Sequence, residues 1–148
     1  MSEISDVERA DKLGRQRARI LPALLLIFFA GQFAYWSEPE ATRLVDQVRL
    51  AAWAAYVIIF LLFLGHGGGF ILSKEVRRLL NDESFRTNRL RAQAAGFWGS
   101  VLTGFALYFV TMAEAVSARE AIHLTVSIGI GVAILTLAWL EHRAHRDA

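Results

Sequence analysis

The 148-residue chain contains no cysteine, which excludes disulfide stapling, thiolate-held metals, iron–sulfur clusters and thiol redox chemistry. Charge is missing from four long segments: residues 20–36, 50–72, 92–112 and 121–140 hold no Asp, Glu, Lys or Arg. A proton-coupled pump or antiporter normally keeps an ionisable carboxylate within the membrane, and none lies in these segments. Internal repeats and low-complexity linkers are also absent, and the connections at 37–49 and 113–120 are too short to form a ligand-binding domain.

What is there is apolar. The composition is 55% hydrophobic and 20% charged, with a mean hydropathy of +0.37, whereas a soluble domain runs nearer ~45–50% apolar. The surplus is concentrated in the four uncharged segments, each near the ~20 residues that a helix needs to cross a bilayer core. Runs this long without period-two alternation favour helices over barrel strands, because backbone groups in lipid must bond within their own segment. The expected fold is all-α, an integral membrane four-helix bundle. Residues 1–19 form an arm, 20–140 the transmembrane domain and 141–148 a tail.

Basic residues set the expected orientation. The arm (Arg9, Lys12, Arg15, Arg17, Arg19), the central connection (Lys74, Arg77, Arg78, Arg86, Arg89, Arg91) and the tail (Arg143, Arg146) hold 13 of them, against 3 (Arg43, Arg49, Arg119) on the other side. The positive-inside rule then places both termini and the central connection in the cytoplasm. The net +2 is the sum of an inner +4 and an outer −2. Glu3, Asp6, Glu8 and Asp11 in the arm, and the lack of a clear small-residue cleavage site, favour an uncleaved anchor over a signal peptide. Residues 2–19 read equally as an amphipathic surface helix or a solvated arm.

Small residues predict where helices meet. Ala92, Gly96, Ser100 and Gly104 are four apart and share one helix face; His123, Ser127 and Gly131 form a second line, and Thr125, Gly129 and Ala133 a third. These lines serve either as contacts within one bundle or as a homodimer seam. Trp36, Trp53, Trp98 and Trp139 near the span ends read as an aromatic belt without chemistry.

The run Gly65-His66-Gly67-Gly68-Gly69 concentrates four glycines at about 1 kcal/mol of helix propensity each. It predicts either an unwound turn with His66 lining a small polar cavity, or a close-packed bend with His66 turned to the headgroups. His66 and His123 differ in expected depth by about 20 Å, so one haem iron cannot bridge them within a protomer. His142 and His145 belong either to a solvated basic tail or to a weak metal site. No cofactor and no metal is expected.

The central connection continues a helical period through Val76, Leu79 and Leu80, and Asn81 or Asp82 can cap a new helix through Arg86 and Arg89 into the third span. A short cytoplasmic helical hairpin results. Its residues Arg77, Arg78, Asp82, Glu83, Phe85, Arg86, Asn88, Arg89 and Arg91 form either an anchor for anionic lipid headgroups, at ~1 kcal/mol per basic residue, or a docking surface with an exposed Phe85 for a protein partner.

The residues Asn81-Asp82-Glu83, Arg86, Asn88-Arg89, Arg91-Ala92 and Gly96-Phe97-Trp98 resemble the loop-to-helix signature of small bacterial four-span membrane proteins of unknown function. The resemblance spans about 20 residues of motif quality and otherwise hydropathy alone. It implies a bacterial inner-membrane location and, since related small membrane proteins are often encoded beside short helix-turn-helix regulators, a membrane partner for a DNA-binding protein.

Among function classes, an enzyme finds little support, because Gln32, His66, Ser100, Thr103, His123, Thr125 and Ser127 suggest no acid, base and nucleophile set. The reading that accounts for uncharged spans, small-residue faces and structured charge on one side is a non-catalytic membrane protein. It would act through contacts with a cytosolic or membrane protein partner, without direct contact to nucleic acid. An oligomeric pore or small-molecule transporter is the alternative.

Overall fold

The computed structural model describes residues 12, 20, 22–23, 25–33, 43–67 and 83–146. Among them the architecture is helical: residues 25–33 (α1), Arg43–His66 (α2), Glu83–Ala113 (α3) and Ala118–Arg146 (α4). Three of these, α2, α3 and α4, are long and apolar enough to cross a membrane. The helices outrun the apolar segments. α2 starts seven residues before Leu50 and α3 nine before Ala92, because a helix ends where its hydrogen bonds end, whereas hydropathy marks only the stretch suited to hydrocarbon.

Each described connection has a local cause. Gly67 adopts φ 79° and donates its N–H to Phe63 O at 2.7 Å, which closes α2 with a left-handed cap that only glycine makes without strain. Gly67 therefore terminates the helix, Gly65 lies within it, and His66 is exposed in its last turn. Gly68 and Gly69 lie outside the described residues. At the other end of the molecule, Ser117 and Glu120 form a reciprocal cap. The Glu120 carboxylate accepts from Ser117 N at 2.8 Å and Ser117 Oγ at 2.7 Å, while Glu120 N donates to Ser117 Oγ at 3.2 Å. This pairing satisfies backbone donors that open α4 and turns the chain back after α3.

α4 is the central helix. Half of its span is buried (50%), against 11% for α2 and 6% for α3. Its most extensive described contact is with α3, through small residues. A Cβ on Gly96 would come within 2.7 Å of both Ala133 Cβ and Gly129 O, and one on Gly129 would collide with Ser100 Oγ. Ser100 Oγ also donates to Thr125 O at 3.3 Å. The line Ala92, Gly96, Ser100 thus interlocks with Thr125, Gly129, Ala133 within one chain. Gly104 departs from expectation: it is exposed and a Cβ there would touch nothing, so the seam stops one turn short of it. The other α4 line meets α1, where a Cβ on Gly131 would come within 2.7 Å of Phe29.

α2 and α4 run parallel, since Asp46 and Arg119 in their first turns pair at 2.9 and 3.1 Å. α3 is antiparallel to both. α1 lies against α2 through Phe28, whose ring packs edge-on to Phe60 at 5.6 Å and to Tyr56 at 6.4 Å. Among the described residues, Phe28, Ile134 and Leu137 are the largest fully buried side chains and mark the centre of the core.

Candidate functional site

Near the Asp46–Arg119 end, three helices converge on a buried polar cluster. Gln32 is in the last described turn of α1, Trp53 in the third turn of α2, and His123 and Ser127 one turn apart on α4. His123 Nε2 donates to Gln32 Oε1 at 2.5 Å, and Ser127 Oγ donates to the same oxygen at 3.2 Å. Trp53 Nε1 in turn donates to Ser127 Oγ at 3.0 Å and stacks on the His123 ring, centroids 4.7 Å apart and planes 23° from parallel. His123 and Ser127 are 4% and 5% exposed. A polar group buried among apolar helices is costly unless bonded, and each member here satisfies another.

This arrangement joins residues that sequence reading leaves apart, and it corrects the belt assignment of Trp53, whose indole is half-buried and bonded inside the bundle. The arrangement ties α1, α2 and α4 together. Ser127 donates its proton to Gln32 Oε1 and accepts from Trp53 Nε1, while His123 Nε2 donates to the same Gln32 oxygen.

The opposite end holds a second set of polar links. Asn88 Nδ2 donates to Glu141 Oε1 at 3.0 Å, and both side chains are buried. Gln93 Nε2 donates to Leu64 O at 2.6 Å, occupying one of the carbonyls left free where α2 stops at Gly67. The segment from residue 141 continues α4 as helix through Arg146, with the Arg143 guanidinium 5.8 Å over the Trp139 ring.

Two proposed docking residues are therefore not available on the surface. Phe85 is 3% exposed and Asn88 9%, because both lie on the α3 face that turns inward with Ala92 and Gly96. Glu83, Arg86 and Arg91 are exposed, and Arg89 is half-buried, its Nε fully buried without a hydrogen-bond partner among the described residues. Arg77, Arg78 and Asp82 lie outside the described residues, as do Trp36 and nearly all of the arm. His66 and His123 occupy opposite ends: counted from the paired Asp46 and Arg119, they are 20 and 4 residues along parallel helices, about 24 Å apart in depth. Among the described residues no three His, Asp or Glu side chains gather as a metal site.

Between α2 and α3, above α4, lies an apolar groove of about 460 Å³. Leu61 and Gly65 form one wall, Gln93 and Phe97 the other, and Val126 and Ile130 part of the floor. The described residues thus define an all-helical protein with three helices able to cross a membrane. Compared with protein-family models, curated protein sequences and solved structures, the chain matches none.

Proposed function

We propose that this is a four-span protein of the bacterial cytoplasmic membrane, with both termini and the connection between α2 and α3 in the cytoplasm, which acts through contact with a protein partner. The observation that carries this reading is the fate of the polar side chains. In the spans, Gln32, Trp53, Gln93, Ser100, Thr103, His123 and Ser127 bond to neighbouring helices or to their own backbone, while Glu83, Arg86 and Arg91 stand exposed at the start of α3. An ordered helix start with exposed charge holds a partner at lower entropic cost than a flexible loop would. The 13-to-3 distribution of basic residues supports the orientation.

Two measurements test it. In a mild-detergent preparation from its own membranes, the wild-type chain is expected to carry a stoichiometric partner that Arg86→Ala/Arg91→Ala loses; unchanged recovery would refute docking at this surface. Solute flux through proteoliposomes containing the protein alone would favour a pore. For topology, the absence of native cysteine makes each introduced thiol the only one present. Ala115→Cys is expected to react with a membrane-impermeant maleimide on intact spheroplasts and Ala148→Cys only after lysis, and the reverse pattern would invert the orientation.

A further inference from the structure

The described contacts divide the four helices into two pairs. α3 and α4 are tied along their length, by the close approach at Gly96 and Gly129, by Ser100 on Thr125 O, and at the far end by Asn88 on Glu141. α1 and α2 are joined by aromatic rings: Phe28 lies edge-on to Tyr56 and Phe60, and those two stack on each other with centroids 6.4 Å apart. Polar ties from this second pair to α4 gather at one end. Asp46 pairs with Arg119, Trp53 donates to Ser127, and Gln32 accepts from His123 and Ser127, so these α4 partners fall between residues 119 and 127.

The opposite end is built differently. There the groove separates α2 from α3, with Gly65 on one wall and Gln93 on the other. A Cβ on Gly65 would meet no atom within 4 Å, so this wall does not interlock with its neighbour as Gly96 and Gly129 do. α3 reaches across through Gln93, whose Nε2 donates to Leu64 O at 2.6 Å. That carbonyl belongs to the last turn of α2, where carbonyls lack a partner within the helix, and it is followed by the exposed Gly65 and His66. Once the helices part, water can take the place of Gln93 on it, so the bond opens without stranding its acceptor.

We propose that Gln93 is a latch: the α1–α2 pair pivots on its ties at Gln32, Asp46 and Trp53, and release of the Gln93–Leu64 bond widens the groove at the far end. The placement of the ties sets the direction. Hydrogen bonds to residues 119–127 of α4 are directional and hold one end, whereas the buried apolar contacts of Phe60 and Leu64 at the other are non-directional and allow sliding. This device goes beyond partner docking and depends neither on Arg86 and Arg91 nor on the orientation in the membrane.

Distances between paired spin labels, measured by pulsed electron resonance on the reconstituted protein, test it, because the chain has no cysteine to compete with introduced ones. Leu62→Cys with Leu90→Cys reports the latch end and Leu50→Cys with Leu102→Cys the pivot end; all four side chains are exposed. At the latch end two separations are expected in the wild type, the shorter dominant. Gln93→Met keeps the length of the side chain but has no N–H to donate, and is expected to raise the ratio of long to short about threefold to fifteenfold, the range that one interhelical hydrogen bond covers. The pivot-end distance is expected to stay as in the wild type, and helix content by circular dichroism to be unchanged. Gln93→Ala, which also lacks the donor, is expected to give the same shift and serves as the second variant should the first disturb folding. A latch-end distribution that is the same in the wild type and both variants, or a pivot-end distance that lengthens along with it, would overturn the proposal.

Discussion

Replacing Gly129 with valine is expected to separate α3 from α4 and destabilise the protein by ~3 kcal/mol or more, at or beyond the upper end of ordinary overpacking. The reason is backbone proximity. At Gly129 the new Cβ would collide with Ser100 Oγ and come within 3.2 Å of Ser100 Cβ and Gly96 O, so it must displace the serine hydroxyl, and the two valine methyls beyond it press the helices apart along their most extensive described contact. Unfolding in a titration of denaturing detergent, followed by circular dichroism, should show the midpoint falling sharply. Gly104→Ala is the matched control. It adds the same first carbon to a glycine of the same helical line but meets open space, and is expected to be neutral or to stabilise by up to ~1 kcal/mol through helix propensity. If Gly129→Val and Gly104→Ala behaved alike, the interlocked seam would be wrong.

The second large effect is at the buried cluster. His123→Leu removes the donor to Gln32 and the ring stacked on Trp53, and is expected to cost ~2 kcal/mol: roughly 0.6–1.7 for the interhelical hydrogen bond and a comparable share for the lost stacking. Gln32→Leu should cost a similar amount, since it strands both His123 and Ser127. The informative quantity is the double variant. Because the two residues share one bond, Gln32→Leu/His123→Leu is expected to be less destabilising than the sum of the singles by about 1 kcal/mol. Strict additivity in the same unfolding assay would show that α1 is not held to α4 by this contact.

The helices and the faces that form their main seam were legible for physical reasons that do not apply to the polar clusters. A membrane span writes itself into contiguous composition, and close helix approach writes itself into a spacing of four, so residues 92–100 and 125–133 announce their conformation and the faces on which they pack, but not that the two faces pack on each other within one chain. The spacing rule overreached at Gly104, because periodicity gives a face but not how far along it the neighbour continues. Phe85 and Asn88 were placed on the surface because they stand among arginines. Their burial follows from helical phase, which carries the inward face of Ala92 and Gly96 back into the polar segment. Gln32 and His123 are 91 residues apart, and no local pattern links them. The one available signal was each residue's rarity as a polar side chain in an otherwise apolar run. Gln93 was silent for a different reason: its partner is a backbone carbonyl freed by the end of another helix, and a backbone atom has no letter in the sequence.

The central position of α4 has a consequence for biosynthesis. This helix leaves the ribosome after the other three, yet it supplies the partners of Gln32, Trp53, Asn88 and Ser100. On the membrane reading proposed above, the earlier segments wait in the bilayer with those groups unmatched until α4 is inserted, α3 lacking the neighbour that covers its small-residue face. A chain stopped before α4 would then be open to membrane quality-control proteases, and commitment to the folded state is deferred until α4 is made.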